Sequence, residues 1–580
     1  MGPPVPAAAD VTGRAWANAR PPERPARNGR AAWLWYLVLV AAVGGFVLSA
    51  RALAPYSPDD AFIGYRYAEN LATGQGLAFN PGERPVEAYS NFLWILVCAL
   101  LHAAGLPLPY AAPRLGILIG AASVAVLWLI YRRGGLSPLG ALLPLLILST
   151  SGPFALYAIS GMETPLFGLL LLTTMLAVHH LFSTRTLLAY LSVSAACILL
   201  ALSRPEGFIA FPIIALYVFI VSRRGSGEAR HPRSGMTYLV IASLVFLGAM
   251  LMYNAWRVYY FGEALPTPLL SKGGAGGAVT DAWVINRDVY FKRQGSAYAP
   301  FGYYYLALTL IAAAGVSLSR FPAAARHTAS TAFILSLAYL LLYPNFVDWM
   351  PGMRYYAPLV GLLLIPAVHI QSPRVARFRP RWDARRVFRS LTVGGAILAL
   401  SVWGLATLGI YAQGWETLAR TSLVPLARWL RDTMPRDSLL ATSDVGIVPY
   451  FSGLRTMDIH PKSLTDLHIA RNGFSADYFL SRKPSVVMLT SYGLPDARIR
   501  REHSDLVKDS RFTSAYRLVG VLRYSWFDDA SYRAYVRRDL PVSDEHLARF
   551  PSGLGTVWKL TERASAGEEG PAEPYSAARR

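Results

Sequence analysis

Between Ala31 and Tyr411 the chain alternates long apolar stretches with short polar or arginine-bearing links, a pattern no soluble domain supports. The stretches run Ala31–Ala50, Ala111–Tyr131, Leu136–Thr150, Pro165–Phe182, Leu187–Leu202, Phe208–Ser222, Met236–Trp256, Phe301–Leu318, Ala329–Tyr343, Tyr355–Ile370 and Leu391–Tyr411. They predict a polytopic α-helical membrane protein with about 11 transmembrane helices. A chain 53% hydrophobic and only 16% charged is consistent with this. A net charge of +21 raises the question of nucleic acid. The arginines, however, fall in clusters between apolar runs, at Arg132-Arg133, Arg223 to Arg233, Arg320 to Arg326 and Arg374 to Arg389, with no basic patch interleaved with aromatics. That is the positive-inside signature, and it excludes nucleic acid as the partner.

The charge bias sets the expected orientation. Residues 1–30, rich in Pro, Ala and Arg, read as a disordered cytoplasmic tail, and the first apolar run lacks a cleavage signature, so it reads as a retained helix. Asn91 to Ala104 is only about fourteen residues, short for a span, and is taken as an interfacial or re-entrant helix in a first outer loop of about 54–110. Counted this way, every arginine cluster lies inside. The unusual polar motifs then gather outside: SPDDAFIGYRYAENLATGQGLAFNPGERPVEAYSN, SGPFALYAISGMETP, SRPEG, the stretch Arg257 to Pro300, and NFVDWMPGMRYY. After the membrane domain, 31–411, charge rises and β-like runs (SLLATSDVGIVPYF, PSVVMLT, YRLVGVLRY) alternate with helical ones. This predicts an extracytoplasmic α/β domain over 412–560 and a disordered tail over 561–580.

Within these loops the acidic pair Asp59-Asp60 is the chief chemical candidate. Ser57, Pro58 and Asp60 fit a capping box, so helix capping alone could account for it. A carboxylate fixed at the membrane edge can also remove a proton from an attacking hydroxyl. A phosphate leaving group needs cationic donors, and Arg66, on the same helical face two turns after Asp59, is one candidate, with Arg204 and Arg354 in other outer loops. Glu163 could merely favour a helix N-terminus; Glu206 could pair with Arg204; Asp348 and Arg354 flank a tight loop that they could brace. Cys98 and Cys197 lie in apolar runs and imply neither disulfide nor metal, and His179, His180, His231 and His460 carry no ligand spacing.

The order PDDAFIGYRYAENLATGQGLAFNPGERPVEAYSNFLW, SGMETPLF, SRPEG, DWMPGMRYY, ATSDVGIVPYFSG, over residues 55 to 480, resembles the mycobacterial-type terminal β-1,2-arabinofuranosyltransferase family of the GT-C superfamily. The resemblance implies a GT-C fold and an inverting glycosyltransferase. The sugar, arabinofuranose, would come from a polyprenyl (decaprenyl) phosphate donor. The acceptor would be a hydroxyl of a cell-envelope glycan such as the arabinan of arabinogalactan or lipoarabinomannan. It implies catalysis by Asp59 with Asp60 as neighbour, and donor phosphate or sugar contacts drawn from Arg66, Tyr67, Glu163, Arg204, Glu206, Asp348 and Arg354. Two adjacent carboxylates can share a divalent cation, but the monophosphate donor and the plentiful arginines favour no obligatory metal. The expected location is the plasma or inner membrane, with the N-terminus cytoplasmic and the site outside. Another polyprenyl-phosphate sugar is an alternative, as is a flippase for a lipid-linked precursor. A flippase predicts internal repeats and mid-membrane charges, and the sequence has neither.

Overall fold

The architecture, taken from a computed structural model, is described for residues 29–224, 233–269, 299–318, 321–345, 350–371, 384–492, 498–499, 503–523, 531–551 and 556–559. The predicted tails up to residue 28 and from 561, Asp348, His231 and most of the Arg374 to Arg389 cluster lie outside these residues.

All eleven apolar stretches fall on helices. In chain order the membrane part comprises α1 (Gly29–Leu53), α2 (Asp59–Ala72), α3 (Phe92–Ala103), α4 (Leu108–Arg133), α5 (Pro138–Ser149), α6 (Gly152–Ala158), α7 (Thr164–Thr184), α8 (Leu187–Ser203), α9 (Ala210–Arg224), α10 (Arg233–Phe261), α11 (Ala299–Leu318), α12 (Ala323–Leu342), α13 (Leu359–Ala367) and α14 (Ala384–Leu418). Among the described residues six helical segments are long and apolar enough to cross a membrane, and α5 with α6, bent by 61°, makes a seventh. The bend has a local cause: Ser151 at the break is extended (φ −63°, ψ 111°), and Pro153 in the first turn of α6 has no N–H to donate back to α5. Helices α8 and α11 are apolar but shorter. The run expected to be interfacial is α3, a 12-residue helix.

Across residue 412, where the composition changes, the backbone stays helical. Helix α14 continues through one π turn, Ala419–Leu423, into α15 (Val424–Thr433), so the last apolar helix extends into the C-terminal domain. There a mixed sheet has the order β2 (Arg455–Asp458), β1 (Leu439–Thr442), β3 (Val486–Tyr492), β6 (Ser531–Arg537), β5 (Tyr516–Arg523), β7 (Thr556–Lys559), with β4 (Arg498–Ile499) paired to β3. The pairings β2–β1 and β1–β3 are parallel and the rest antiparallel. Side chains alternate across this sheet. Leu440, Val486, Met488 and Val536 join the core of the membrane domain. Leu439, Ala441, Val487 and Leu489 pack outward against Ile469 of α17 (Leu467–Asn472), Phe479 of α18 (Ala476–Arg482) and Phe512 of α19 (Ser510–Ala515). With both faces covered, every residue of β1 is buried, as a parallel strand requires. The helix that links β1 to β2, α16 (Ile447–Ser452), lies on the membrane-facing side and meets α2.

Candidate active site

Helix α2 begins after Pro58, whose extended φ of −68° and ψ of 157° suit an N-cap position, so Asp59 and Asp60 open the first turn. The capping box does not form: no side chain caps α2, and the Ser57 carbonyl instead accepts the Trp415 indole N–H at 2.7 Å. Asp59 caps a different helix. Its two carboxylate oxygens accept the backbone N–H groups of Gly446 at 2.9 Å and Ile447 at 2.7 Å, at the start of α16. Seven residues on, Arg66 donates to the carbonyls of Pro449 (2.9 Å) and Leu454 (2.8 Å) at its end. Seven residues span about 10.5 Å of helix, close to the length of α16, and the charges match its dipole: acid at the N-terminus, guanidinium at the C-terminus. Between them Phe62 packs on Tyr450 and Phe451, with ring centroids 5.3 and 5.5 Å apart. The C-terminal domain is thus fastened along the helix that carries the acidic pair.

This placement corrects two expectations. Arg66 is not available to a phosphate: it is buried, it also donates to Phe79 O (2.7 Å) and Asn80 Oδ1 (3.2 Å), and its face covers the Phe79 ring. Tyr67 is likewise buried, with its hydroxyl between the Val86 carbonyl and the Ala88 N–H, where it braces the loop between α2 and α3.

The other candidates do meet. Arg354 Nη1 lies 3.7 Å from Asp60 Oδ2, and Arg354 Nη2 donates to Glu163 Oε1 at 2.7 Å. Arg204 Nε stands 3.6 Å from the same Glu163 oxygen and 2.9 Å from Glu206 Oε1. Four distant segments supply this chain of alternating charge. Glu163 precedes α7 but does not cap it; its carboxylate is aimed at the arginines and accepts from Asn91 Nδ2 at 2.9 Å. The turn before it is fixed by Gly161, whose φ is +71° and whose carbonyl accepts the Tyr65 hydroxyl and Trp94 indole N–H; a Cβ there would sit 1.8 Å from Tyr65 Oη. Arg354 leaves a turn held by the Tyr157 hydroxyl, which donates to Pro351 O at 2.6 Å. Burial alone would raise the Glu163 carboxyl, but Arg354 and Arg204 outweigh it and hold it down to about 2.

Arg204 sits in an aromatic enclosure. Its guanidinium lies 4.9 Å from the Tyr355 ring centre and 5.3 Å from that of Phe167, and Tyr343 stacks on both Tyr355 and Tyr339. Among the described residues Arg204 Nη1, Arg354 Nε and the hydroxyls of Tyr339 and Tyr343 are buried with no hydrogen-bond acceptor. Buried donors are costly unless something accepts from them, and the same cluster also buries the acceptor Glu206 Oε1.

Nothing in the local sequence gives a role to Asp444, which follows β1 in the motif ATSDVG and lies two residues before Gly446, whose N–H binds Asp59; its Oδ2 accepts the Tyr532 hydroxyl. Asp59 itself is half-buried. Burial first, then Asp444, and to a smaller degree Asp60, push its carboxyl from 3.8 up to about 8 against the opposing pull of the Ile447 and Gly446 N–H groups. Among the described residues no group of three or more His, Cys, Asp or Glu is placed to hold a metal ion. A groove of about 710 Å³ runs along the seam between the α2–α3 loop and the C-terminal domain, lined by Arg84, Arg455, Arg471 and Arg482, by Glu83 and Asp466, and by the stacked rings of His468 and Tyr478.

Against known proteins, a family model described as a domain of unknown function, DUF8728, matches residues 410–539. No curated protein matches the chain. Among solved structures, ArnT from Cupriavidus metallidurans bound to undecaprenyl phosphate is 14% identical, aligned over 87% of this chain and 98% of its own, with a TM-score of 0.52. The oligosaccharyltransferase AglB from Archaeoglobus fulgidus, in complex with an inhibitory peptide and a dolichol-phosphate, is 11% identical over 88% of this chain and 75% of its own, with a TM-score of 0.50. The mycobacterial arabinofuranosyltransferase AftD is 14% identical, with a TM-score of 0.49, and this chain spans 40% of its length. The chain has the GT-C fold, with a C-terminal α/β domain.

Proposed function

We propose that this protein is an inverting membrane glycosyltransferase that moves a sugar, arabinofuranose by the sequence resemblance, from polyprenyl phosphate to a hydroxyl of a cell-envelope glycan. The observation that carries the reading is the set of buried, uncommitted donors around Arg204 and Arg354, joined through Asp60 to a helix that also bears a carboxylate raised to about 8. Lipid phosphate is the group that such donors suit at a membrane edge. Two structures of the same fold have polyprenyl phosphates bound, which is consistent with the reading.

In the proposed reaction Asp59 removes the proton from the acceptor hydroxyl, and the oxygen attacks the anomeric carbon from the face opposite the phosphate. The carbon–oxygen bond to the phosphate breaks, and the lipid phosphate leaves with the electron pair. Arg204 and Arg354 offset the charge that develops on it. Glu163 keeps both guanidiniums in place, and Glu206 pairs with Arg204. The outer groove is the proposed approach for the glycan. The proposed orientation puts this site and the C-terminal domain outside the plasma or inner membrane, with eleven crossings and the N-terminus in the cytoplasm. No divalent ion is proposed as obligatory.

The test is transfer by purified protein, in EDTA, from synthetic polyprenyl-phosphoryl arabinofuranose or mannose to an arabinan oligosaccharide. Transfer of arabinofuranose with inversion is expected. Transfer of mannose alone would keep the class and overturn the sugar; transfer from neither, with other polyprenyl-phosphate sugars also inert, would overturn the reading.

A further inference from the structure

The base proposed above does not stand alone in the membrane domain. Gly446, whose N–H binds Asp59 Oδ2, is only two residues past Asp444, so the C-terminal domain brings a second carboxylate to Asp59 by the same contact that docks it. Asp444 is itself held: its N–H donates to Thr442 Oγ1 at 3.3 Å, and Tyr532, on β6 opposite Thr490 of β3, donates its hydroxyl to Asp444 Oδ2. Tyr532 is only 1% exposed and belongs to the core shared with the membrane domain, so this carboxylate cannot swing far. From its own helix Asp59 faces Asp60, whose charge Arg354 partly offsets at 3.7 Å. From α16 it faces the Gly446 and Ile447 N–H groups.

We infer that Asp444, positioned by Tyr532, sets the protonation of Asp59 and thereby the pH range in which Asp59 can act as base. This rests on the reading of Asp59 as that base. Two half-buried carboxylates brought together through the Gly446 contact cannot both ionise without mutual cost, so the pair keeps one proton toward neutral pH and titrates as a unit. The rise of Asp59 to about 8, with Asp444 as its second cause after burial, agrees with this. A base poised there accepts a proton far more readily than an ordinary aspartate, and it exists only while the C-terminal domain is docked.

Dicyclohexylcarbodiimide, which modifies carboxyl groups in their protonated form, reads the pair without reference to turnover. Labelling of Asp59 in the full chain, followed by mass spectrometry, is expected to fall with a midpoint near pH 8. Asp444→Asn should lower that midpoint by about one unit or more, the usual scale for a neighbouring charge, while Asp444→Glu should return it toward the parent value. Asp444→Ser serves as the neutral variant if Asn does not fold. The rise of kcat/KM with pH, measured with synthetic polyprenyl-phosphoryl arabinofuranose and an arabinan oligosaccharide, should shift in parallel. A labelling midpoint unmoved in the neutral variants overturns the coupling. A moved midpoint with an unmoved kcat/KM profile overturns Asp59 as the base and leaves the carboxylate pair standing.

Discussion

Gly446→Ala is the smallest change that tests the junction between α2 and α16. A Cβ at this position would lie 2.0 Å from the Asp59 carbonyl oxygen and 2.5 Å from Cγ and Oδ2. An ordinary contact begins at 3.4 Å, so the backbones must separate by about 1.4 Å, and the carbonyl cannot rotate aside. Adding that displacement to the 2.9 and 2.7 Å bonds takes both beyond hydrogen-bonding distance. Above about pH 8, where Asp59 is ionised, hydrogen bonds to this charged acceptor contribute about 1.5–3 kcal/mol each, so the variant should lose on the order of 3–6 kcal/mol of docking free energy. Gly453→Ala is the control. Its φ of +70° costs about 1 kcal/mol in strain, but its Cβ meets nothing within 4 Å. Limited proteolysis should release the C-terminal domain from Gly446→Ala and leave Gly453→Ala intact, with transfer lost in the first and kept in the second. Parent-like proteolysis and turnover in Gly446→Ala would refute the clamp.

Three further outcomes follow from the same geometry. Arg354→Gln and Arg204→Gln should each weaken binding of polyprenyl phosphate by about a hundredfold, the equivalent of one or two charge-assisted bonds, in isothermal titration; unchanged binding would remove them from the phosphate site. In intact cells an impermeant thiol reagent should label Lys508→Cys and spare a cysteine placed between Arg374 and Arg389, Cys98 and Cys197 being buried; the reverse pattern would invert the topology. Deleting residues after Gln413 should abolish transfer rather than merely weaken acceptor use, because it strips the partners from Asp59, Arg66 and Phe62. Retained transfer by a folded truncation would reduce the domain to an accessory.

The helices were legible because apolar length is a local property: every predicted stretch lies on one, and the fourteen-residue run set apart as too short is α3. The composition changes at 412 while the helix continues to Thr433, and that continuity depends on packing that no local pattern shows. At the site, motif order grouped Glu163, Arg204, Glu206 and Arg354, which the fold does bring together. The roles of Arg66 and Asp59 as caps of α16 could not be read, because their partners lie more than 380 residues away. Local rules placed Ser57 as the cap of α2 and Arg66 toward a phosphate; tertiary contacts with α16 and Trp415 displaced both. Asp444 lies inside ATSDVG, and nothing local distinguishes it from a turn residue.

The central claim is that Asp59 removes the acceptor proton, and Asp59→Asn tests it most directly. Asparagine keeps the size and one carbonyl acceptor for α16 but loses proton-accepting power. It also loses one N–H bond, so some stability should go, and the rate must be measured per folded molecule. Single-turnover transfer from synthetic polyprenyl-phosphoryl arabinofuranose is expected to slow by about a hundredfold or more, with donor binding kept. Asp60→Asn, which loosens Arg354 instead, should have the smaller effect on the chemical step. Near-parent turnover in Asp59→Asn, or loss of donor binding with the fold intact, would contradict the account, and a larger defect in Asp60→Asn would transfer the role of base to that neighbour.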